Sequence, residues 1–373
     1  MRKRKMKNLG TAGYKLLTPG PLTTTETVKE VMLFDHCTWD DDYKEITQKI
    51  RRDLLKLAQV EETEYTTVLM QGSGSFGVES VLGSVVPKDG CVLLLSNGAY
   101  GERAAKMCSY YEIPCIHVKQ DYNKTPDANE AEELLKTHPE ITHIMMIHSE
   151  TTSGILNDIE SIGKLAEAYG KVFIVDAMSS FAGVEIPVKD WYIDFLISST
   201  NKCIQGVPGF SFIIANRVLL MESKGRARSL CLDLYDQWAG MEKDGKWRYT
   251  SPTHVVLAFE QAMKELEQEG GIKARHARYQ KNMDTLVENF ENLGFRLYVD
   301  KAWQGPIIAT FLYPEGKHFD FQEMYAYIKE RGYAIYPGKL TDADTFRIRV
   351  IGEIYEEDVL RLTEIMKSYM EQE

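Results

Sequence analysis

The sequence predicts an α/β sandwich, a largely parallel sheet covered by helices on both faces, followed by a smaller α+β domain. Three observations carry this. After about residue 65, short continuously apolar runs alternate with amphipathic stretches, which is how parallel strands buried on both faces read when helices connect them. Two long amphipathic stretches, Thr253 to Glu269 and Ile272 to Asn292, are divided by Gly270-Gly271, whose missing side chains suit a helix stop. Beyond them the strand and helix candidates are short and interleaved.

Taken in order, Val28 to Met32 and Tyr43 to Ala58 read as helices, and the first 60 residues are expected to pack on the C-terminal domain or on a second subunit. Thr66 to Met70 is a short strand-like run opening into a helix through Val78 to Val85. Cys91 to Ser96, Ile141 to His148 and Lys171 to Asp176 are apolar strands; Gly101 to Tyr111 and Asp158 to Tyr169 are the intervening helices. Asp194 to Thr200 and Gly209 to Ala215 are separated by only eight residues, too few for a parallel crossover, so if they pair they pair antiparallel. After the two long helices come strands at Phe295 to Val299, Ile307 to Leu312, Tyr333 to Tyr336 and Phe346 to Ile351, with helices at Phe319 to Arg331 and Glu356 to Met370. This gives a tail over residues 1–15, a large domain over 16–270 and a small one over 271–373.

Composition narrows the class. A chain of 373 residues with 44% hydrophobic and 27% charged residues is an ordinary globular protein, neither disordered, collagen-like nor a disulfide framework. Its 44 Lys+Arg against 55 Asp+Glu leave a net charge of −11, which disfavours non-specific binding to nucleic acid or to an anionic membrane. The basic head, Met1 to Lys7, reads as a solvated tail, with Met6 as an alternative start. No window approaches the roughly 20 apolar residues of a membrane span, and the six cysteines show no C-x-x-C pair, so a reduced, cytoplasmic protein is expected.

Three features carry chemistry. Gln71-Gly-Ser-Gly-Ser-Phe-Gly77 follows a strand and opens a helix, where free backbone N–H groups and the Ser73 and Ser75 hydroxyls make a phosphate cradle. The strand Val172 to Asp176 ends on a carboxylate at the edge where α/β sheets present ligands; a buried carboxylate needs a positive partner, and a protonated pyridine nitrogen is one. Capping of the next turn is the alternative role for Asp176. Lys202 emerges from the next apolar strand, where desolvation and nearby cations favour a neutral, nucleophilic amine. Together they match the phosphate, ring nitrogen and aldehyde of pyridoxal 5′-phosphate; Tyr100, beyond another strand, is a candidate to stack on its ring, the alternative being an exposed aromatic that shields a helix start.

The rivals are weaker. Gly72-x-Gly74-x-x-Gly77 satisfies a dinucleotide fingerprint, but the strand that should end in an acidic residue about 20 positions on ends in Ser96-Asn97. There is no H-E-x-x-H, no Cys/His cluster and no Gly-x-Ser-x-Gly, which removes the usual zinc and hydrolase readings. Cys203, beside the lysine, reads as a packing residue.

Several longer blocks are familiar: Leu17 to Thr24, Asp35 to Tyr43, Gln71 to Ser75, His148 to Thr152, Val175 to Ser180, Ser198 to Gly209, Ser229 to Tyr235 and Thr250 to His254. In them the chain resembles the class V, fold-type I pyridoxal-phosphate aminotransferases, and closely the branch that moves an amino group from 2-aminoethylphosphonate to pyruvate. The resemblance runs from about Leu16 to the C-terminal helix. It implies a mostly parallel seven-stranded sheet in the large domain, and a homodimer whose active sites are shared.

Carried over by position, it makes Lys202 the lysine bonded to the cofactor and the proton shuttle, with Asp176 at the ring nitrogen and Tyr100 on the ring. Ser73, Gly74 and Ser75 would hold the phosphate, aided by Thr250 from the second subunit. Thr151 would approach the ring hydroxyl. Gly20 and Arg347 would meet the substrate, the guanidinium clamping its acid group through two parallel hydrogen bonds. The implied products are phosphonoacetaldehyde and L-alanine, formed by ping-pong exchange. The alternative is an alanine–glyoxylate or serine–pyruvate type of transaminase on the same fold. Lys224, Arg226 and Arg228 are rival cations for the phosphonate. One departure stands out: Arg349 occupies a position where the resemblance calls for glycine, on the same face as Arg347. There it would crowd the clamp or contact the phosphonate.

Overall fold

Seven strands make the main sheet, in the spatial order Tyr65–Gln71, Phe210–Asn216, Phe195–Ser199, Val172–Asp176, Ile141–Ile147, Cys91–Ser96, Cys115–Lys119. The computed structural model from which this is read describes residues 13–314, 319–338, 340 and 343–372. The basic head lies outside these residues. Phe210–Asn216 runs antiparallel to both neighbours, and every other adjacent pair is parallel. The short link before it therefore turns back, as its length demands. Alternate residues feed two separate cores. Leu93, Ile144, Phe173 and Leu196 pack on one face, and Leu94, Met145, Ile174 and Ile197 on the other, which is why these strands carry no polar alternation. Six of the seven strands point the same way, so their carboxyl ends line a single edge.

A second, four-stranded antiparallel sheet is ordered Arg296–Leu297, Ile308–Leu312, Thr345–Arg349, Tyr336–Pro337. Phe290, Phe311 and Phe346 stack behind it with ring centroids 5.0 and 5.7 Å apart, inside a core closed by helices Phe321–Glu330 and Glu356–Met370. Helix Gly271–Asn292 serves both bodies. Its first turns reach the main sheet's loops, where Arg275 Nη1 donates to the Cys203 carbonyl at 2.5 Å, and its last turns bury Leu286 and Phe290 among the aromatics. Gly270, left-handed at φ 108°, ends the preceding helix Thr253–Glu269.

Two expectations change. Residues 26–60 pack chiefly on the main sheet: helix Asp41–Leu57 buries Tyr43, Ile50 and Leu54 in its core, and Arg51 Nε donates to the Thr67 carbonyl at 2.7 Å. Strand Tyr65–Gln71 lies at the sheet's end, and this helix covers it. Lys15–Leu16, paired parallel to Tyr333–Ala334, Leu17, and contacts of Pro19, Leu22 and Thr23 join the C-terminal part. The Tyr333 to Tyr336 run also divides between two sheets, because Tyr336–Pro337 pairs instead with Thr345–Arg349. No helix among the described residues is long and apolar enough to cross a membrane.

Phe311 is fully buried at the centre of the aromatic stack. Phe311→Ala should lose about 3–5 kcal/mol of stability, read as a lower urea midpoint for the C-terminal part. A change below about 1 kcal/mol would mean the stack is not the core it looks like.

Candidate active site

The loops leaving the carboxyl edge of the main sheet converge on a cavity of about 220 Å³ whose wall includes Ser73, Gly74, Tyr100, Asp176 and Lys202. The register explains the meeting. Ile147 pairs with Asp176 and Asp176 with Ile197, so the chain segments that follow all depart at one level.

The phosphate cradle is built from the start of helix Gly74–Val85. Ser73 stands at its N-cap but its side chain caps nothing, which leaves first-turn N–H groups open to a ligand. At Gly74 a Cβ would lie 2.3 Å from Met178 Sδ, so the Met178 side chain packs directly on the backbone there. Ser75 Oγ accepts from Arg103 Nη1 at 3.0 Å, and the Arg103 guanidinium lies 5.0 Å from the Tyr100 ring centroid. Arg103 is a site residue that the motifs do not reveal. The signal was its spacing three residues after Tyr100, on the same face of helix Ala99–Tyr110.

Asp176 is buried, and its Oδ1 accepts from the Met178 amide at 2.9 Å. Burial pushes its carboxyl up to about 6, with the Glu150 charge adding and Lys202 and Arg103 opposing. Lys202 Nζ donates to the Pro19 carbonyl at 2.6 Å. Burial, and next the Arg349 charge, hold that amine well below the ordinary lysine range. Gly20 makes room for it, since a Cβ would lie 2.6 Å from Nζ.

Arg347 is buried, donating from Nε to the Pro337 carbonyl at 3.1 Å and from Nη1 to the Thr151 carbonyl at 2.9 Å. Thr151 thus meets the site through its backbone, as the anchor of the arginine. Arg349 is fully buried; one nitrogen donates to the Pro19 carbonyl, while among the described residues Nε and Nη2 have no partner. Each unsatisfied charged donor costs about 1–3 kcal/mol or more.

The three rival cations do not reach the cavity. Arg226 and Arg228 donate to carbonyls of Val85 and Val86, at the far end of helix Gly74–Val85, and Lys224 sits over the Tyr235 ring. Thr250 is exposed and does not line the cavity of its own chain. Cys203 packs, with Sγ 3.2 Å from the Ser179 carbonyl and its thiol pushed up to about 11 by burial. Among the described residues no cluster of His, Cys, Asp or Glu is arranged to hold a metal.

The donor set fits pyridoxal phosphate. There is an open helix start for an anion, a buried carboxylate without an ion-pair partner, and a desolvated amine, all on one small cavity. Comparison with known proteins points the same way. Residues 36–350 match the family model described as aminotransferase class-V. A protein of Lysinibacillus sphaericus, named 2-aminoethylphosphonate–pyruvate transaminase, is 55% identical over 96% of this chain and 98% of its own. One of the same name from Bacillus cytotoxicus is 56% identical over 94% of this chain and 96% of its own. Among solved structures, an alanine–glyoxylate aminotransferase from Nostoc superposes with a TM-score of 0.90 over 98% of both chains at 23% identity, a likeness of fold.

The raised Asp176 carboxyl has a stability consequence. A group whose folded value, about 6, exceeds its unfolded value holds a proton that the unfolded chain has lost, so stability falls as pH rises from about 4 to 6. In cofactor-free protein Asp176→Asn should remove that fall, gaining up to about 3 kcal/mol at pH 8 relative to pH 4. Urea melts of both proteins at the two pH values check it, and equal differences at both would contradict it.

Proposed function

The chain belongs to the class-V aminotransferases, and from that premise we propose that it passes the amino group of 2-aminoethylphosphonate to pyruvate, releasing phosphonoacetaldehyde and L-alanine. The observation that carries this is identity above one half, over nearly the full length, to relatives bearing that name, together with the meeting of Lys202 and Asp176 on one cavity. Its cofactor is pyridoxal 5′-phosphate, which when bound supplies an electrophilic aldehyde and a ring that withdraws electrons from the substrate carbon.

The residues divide that work. The amides at Gly74 and Ser75, the Ser73 and Ser75 hydroxyls and Arg103 hold the phosphate, with Thr250 of a second copy completing the cradle. Asp176, poised near pH 6 by burial, keeps a proton on the ring nitrogen by offering it a negative partner. Tyr100 covers the ring, and Thr151 fixes Arg347 through its carbonyl. Lys202, its amine held well below the ordinary lysine range, is the nucleophile and the base. Its amine takes the proton from carbon 1 of the donor and returns it on the far side of the transferred nitrogen. Arg347 grips the acid group of each substrate in turn. Because both substrates use one cavity, the first product leaves before the second substrate enters.

A homodimer belongs to the same proposal. Leu33, Phe34, Trp39 and Leu230 are 64–75% exposed, a set of large apolar side chains suited to a second copy. So do the division into domains at about residue 270, which the separate aromatic core supports, and residence in the cytoplasm, which the free cysteines support.

Alanine should accumulate only when the purified, yellow protein receives both aminoethylphosphonate and pyruvate, with parallel double-reciprocal lines. Lys202→Arg should lower turnover by at least about a thousandfold and abolish borohydride trapping of the cofactor. Intersecting lines, or alanine formed from other amino donors but not from this one, would overturn the assignment.

A further inference from the structure

Resting on the transamination reading, we propose that Arg349 is a second anion-binding guanidinium and that, with Arg347, it receives the doubly charged phosphonate of the amino donor. The two arginines stand two residues apart on strand Thr345–Arg349, so their side chains leave the same face of the sheet. Arg347 is anchored by two backbone carbonyls, those of Pro337 and Thr151. Arg349 is anchored by one, that of Pro19, and among the described residues keeps Nε and Nη2 without partners although it is fully buried. Among the described residues neither guanidinium forms an ion pair with a carboxylate.

A buried cation with free N–H groups and no counter-ion is an incomplete site, since water cannot reach it and protein does not satisfy it. Its position shows what completes it. The Pro19 carbonyl that accepts from Arg349 also accepts from Lys202 Nζ at 2.6 Å, which sets the uncompensated charge beside the amine that performs the transfer. That carbonyl lies in a bend over residues 18–21, outside any helix or strand. The other basic candidates, Arg226 and Arg228, are tied to the opposite end of helix Gly74–Val85.

Charge and shape select the ligand. Pyruvate brings one planar carboxylate, which a single guanidinium satisfies through two parallel hydrogen bonds. A phosphonate brings three oxygens in a tetrahedral arrangement and, like a phosphate monoester, approaches two negative charges near neutral pH. Two guanidinium groups on one strand face match two charges, and three oxygens leave an acceptor for each arginine. Arg349 therefore discriminates between the half-reactions: it serves the phosphonate donor and adds little for the keto-acid acceptor.

The test uses unreactive probes on the holoenzyme, ethylphosphonate and propionate, which carry the two acid groups without an amine. Dissociation constants are measured by calorimetry for the parent protein, Arg349→Gly and Arg349→Lys, with the cofactor absorption band and thermal midpoint confirming folded, loaded protein. Arg349→Gln, closer in volume, replaces the glycine variant if that one melts early. In Arg349→Gly the ethylphosphonate constant should rise at least about tenfold while that for propionate moves less than about threefold, and Arg349→Lys should recover part of the loss. KM for aminoethylphosphonate should rise with it while KM for pyruvate holds. Equal weakening of both probes, or no change in either, would overturn the proposal. If alanine forms normally but ethylphosphonate binding ignores Arg349, the anion site alone falls. If ethylphosphonate binding depends on Arg349 but no alanine forms from aminoethylphosphonate, the anion site stands and the reaction assignment falls.

Discussion

The site depends on desolvating two groups of opposite sign at one sheet edge. Burial drives the Asp176 carboxyl up and the Lys202 amine down, so each moves toward its neutral form. The double-sided burial of the parallel strands creates that environment, because a strand packed on both faces ends in a place that solvent reaches only through the ligand cavity. The register then decides which residues share it: Asp176 lies opposite Ile197 on the neighbouring strand, five residues before Lys202.

The turn after Lys202 is held harder than its own backbone preference would allow. Gln205 has φ of 71°, a left-handed conformation that costs a non-glycine residue about 1–3 kcal/mol. It persists because the position is over-determined. Its amide donates to the Lys202 carbonyl at 2.8 Å, and its Nε2 donates to Tyr279 Oη at 2.6 Å and to the Gly352 carbonyl at 2.9 Å. Arg275 adds a bond to Cys203 O and pairs with Glu269, which also receives Arg278. The loop bearing Lys202 is therefore fixed from helix Gly271–Asn292 and from the segment after Arg349, so the second sheet and the lysine are positioned by the same contacts.

What was legible in the sequence follows from burial. The central strands and the ends that carry Asp176 and Lys202 could be read because their apolar runs are unbroken. Strand Cys115–Lys119 could not: it lies at the open end of the sheet and is only partly buried, and its sequence, Cys-Ile-His-Val-Lys, lacks such a run. Helix Leu234–Asp244 begins inside a block that was read for family likeness, and its mixed face gave little periodic signal. Among site residues, Arg347 and Arg349 were visible as a same-face pair. That one is held by two carbonyls and the other left short of partners is a fact of tertiary packing. Arg226 and Arg228 mislead for the same reason, since a basic run says nothing about which end of a helix it will reach.

The balance of charge joins these points. The chain carries −11 overall, yet around the cavity Lys202, Arg103, Arg347 and Arg349 are set against Asp176 and Glu150. A locally cationic pocket in an acidic protein must be assembled from side chains held against mutual repulsion, and here backbone carbonyls of Pro19, Thr151 and Pro337 do the holding. Carbonyl dipoles fix direction without neutralising charge. The cations thus stay available to anions that arrive with the cofactor and the substrates, whereas a carboxylate partner would have silenced them. Repulsion between Arg349 and Lys202 also favours the uncharged amine, so the arginine proposed to complete an anion site also lowers the charge of the neighbouring lysine.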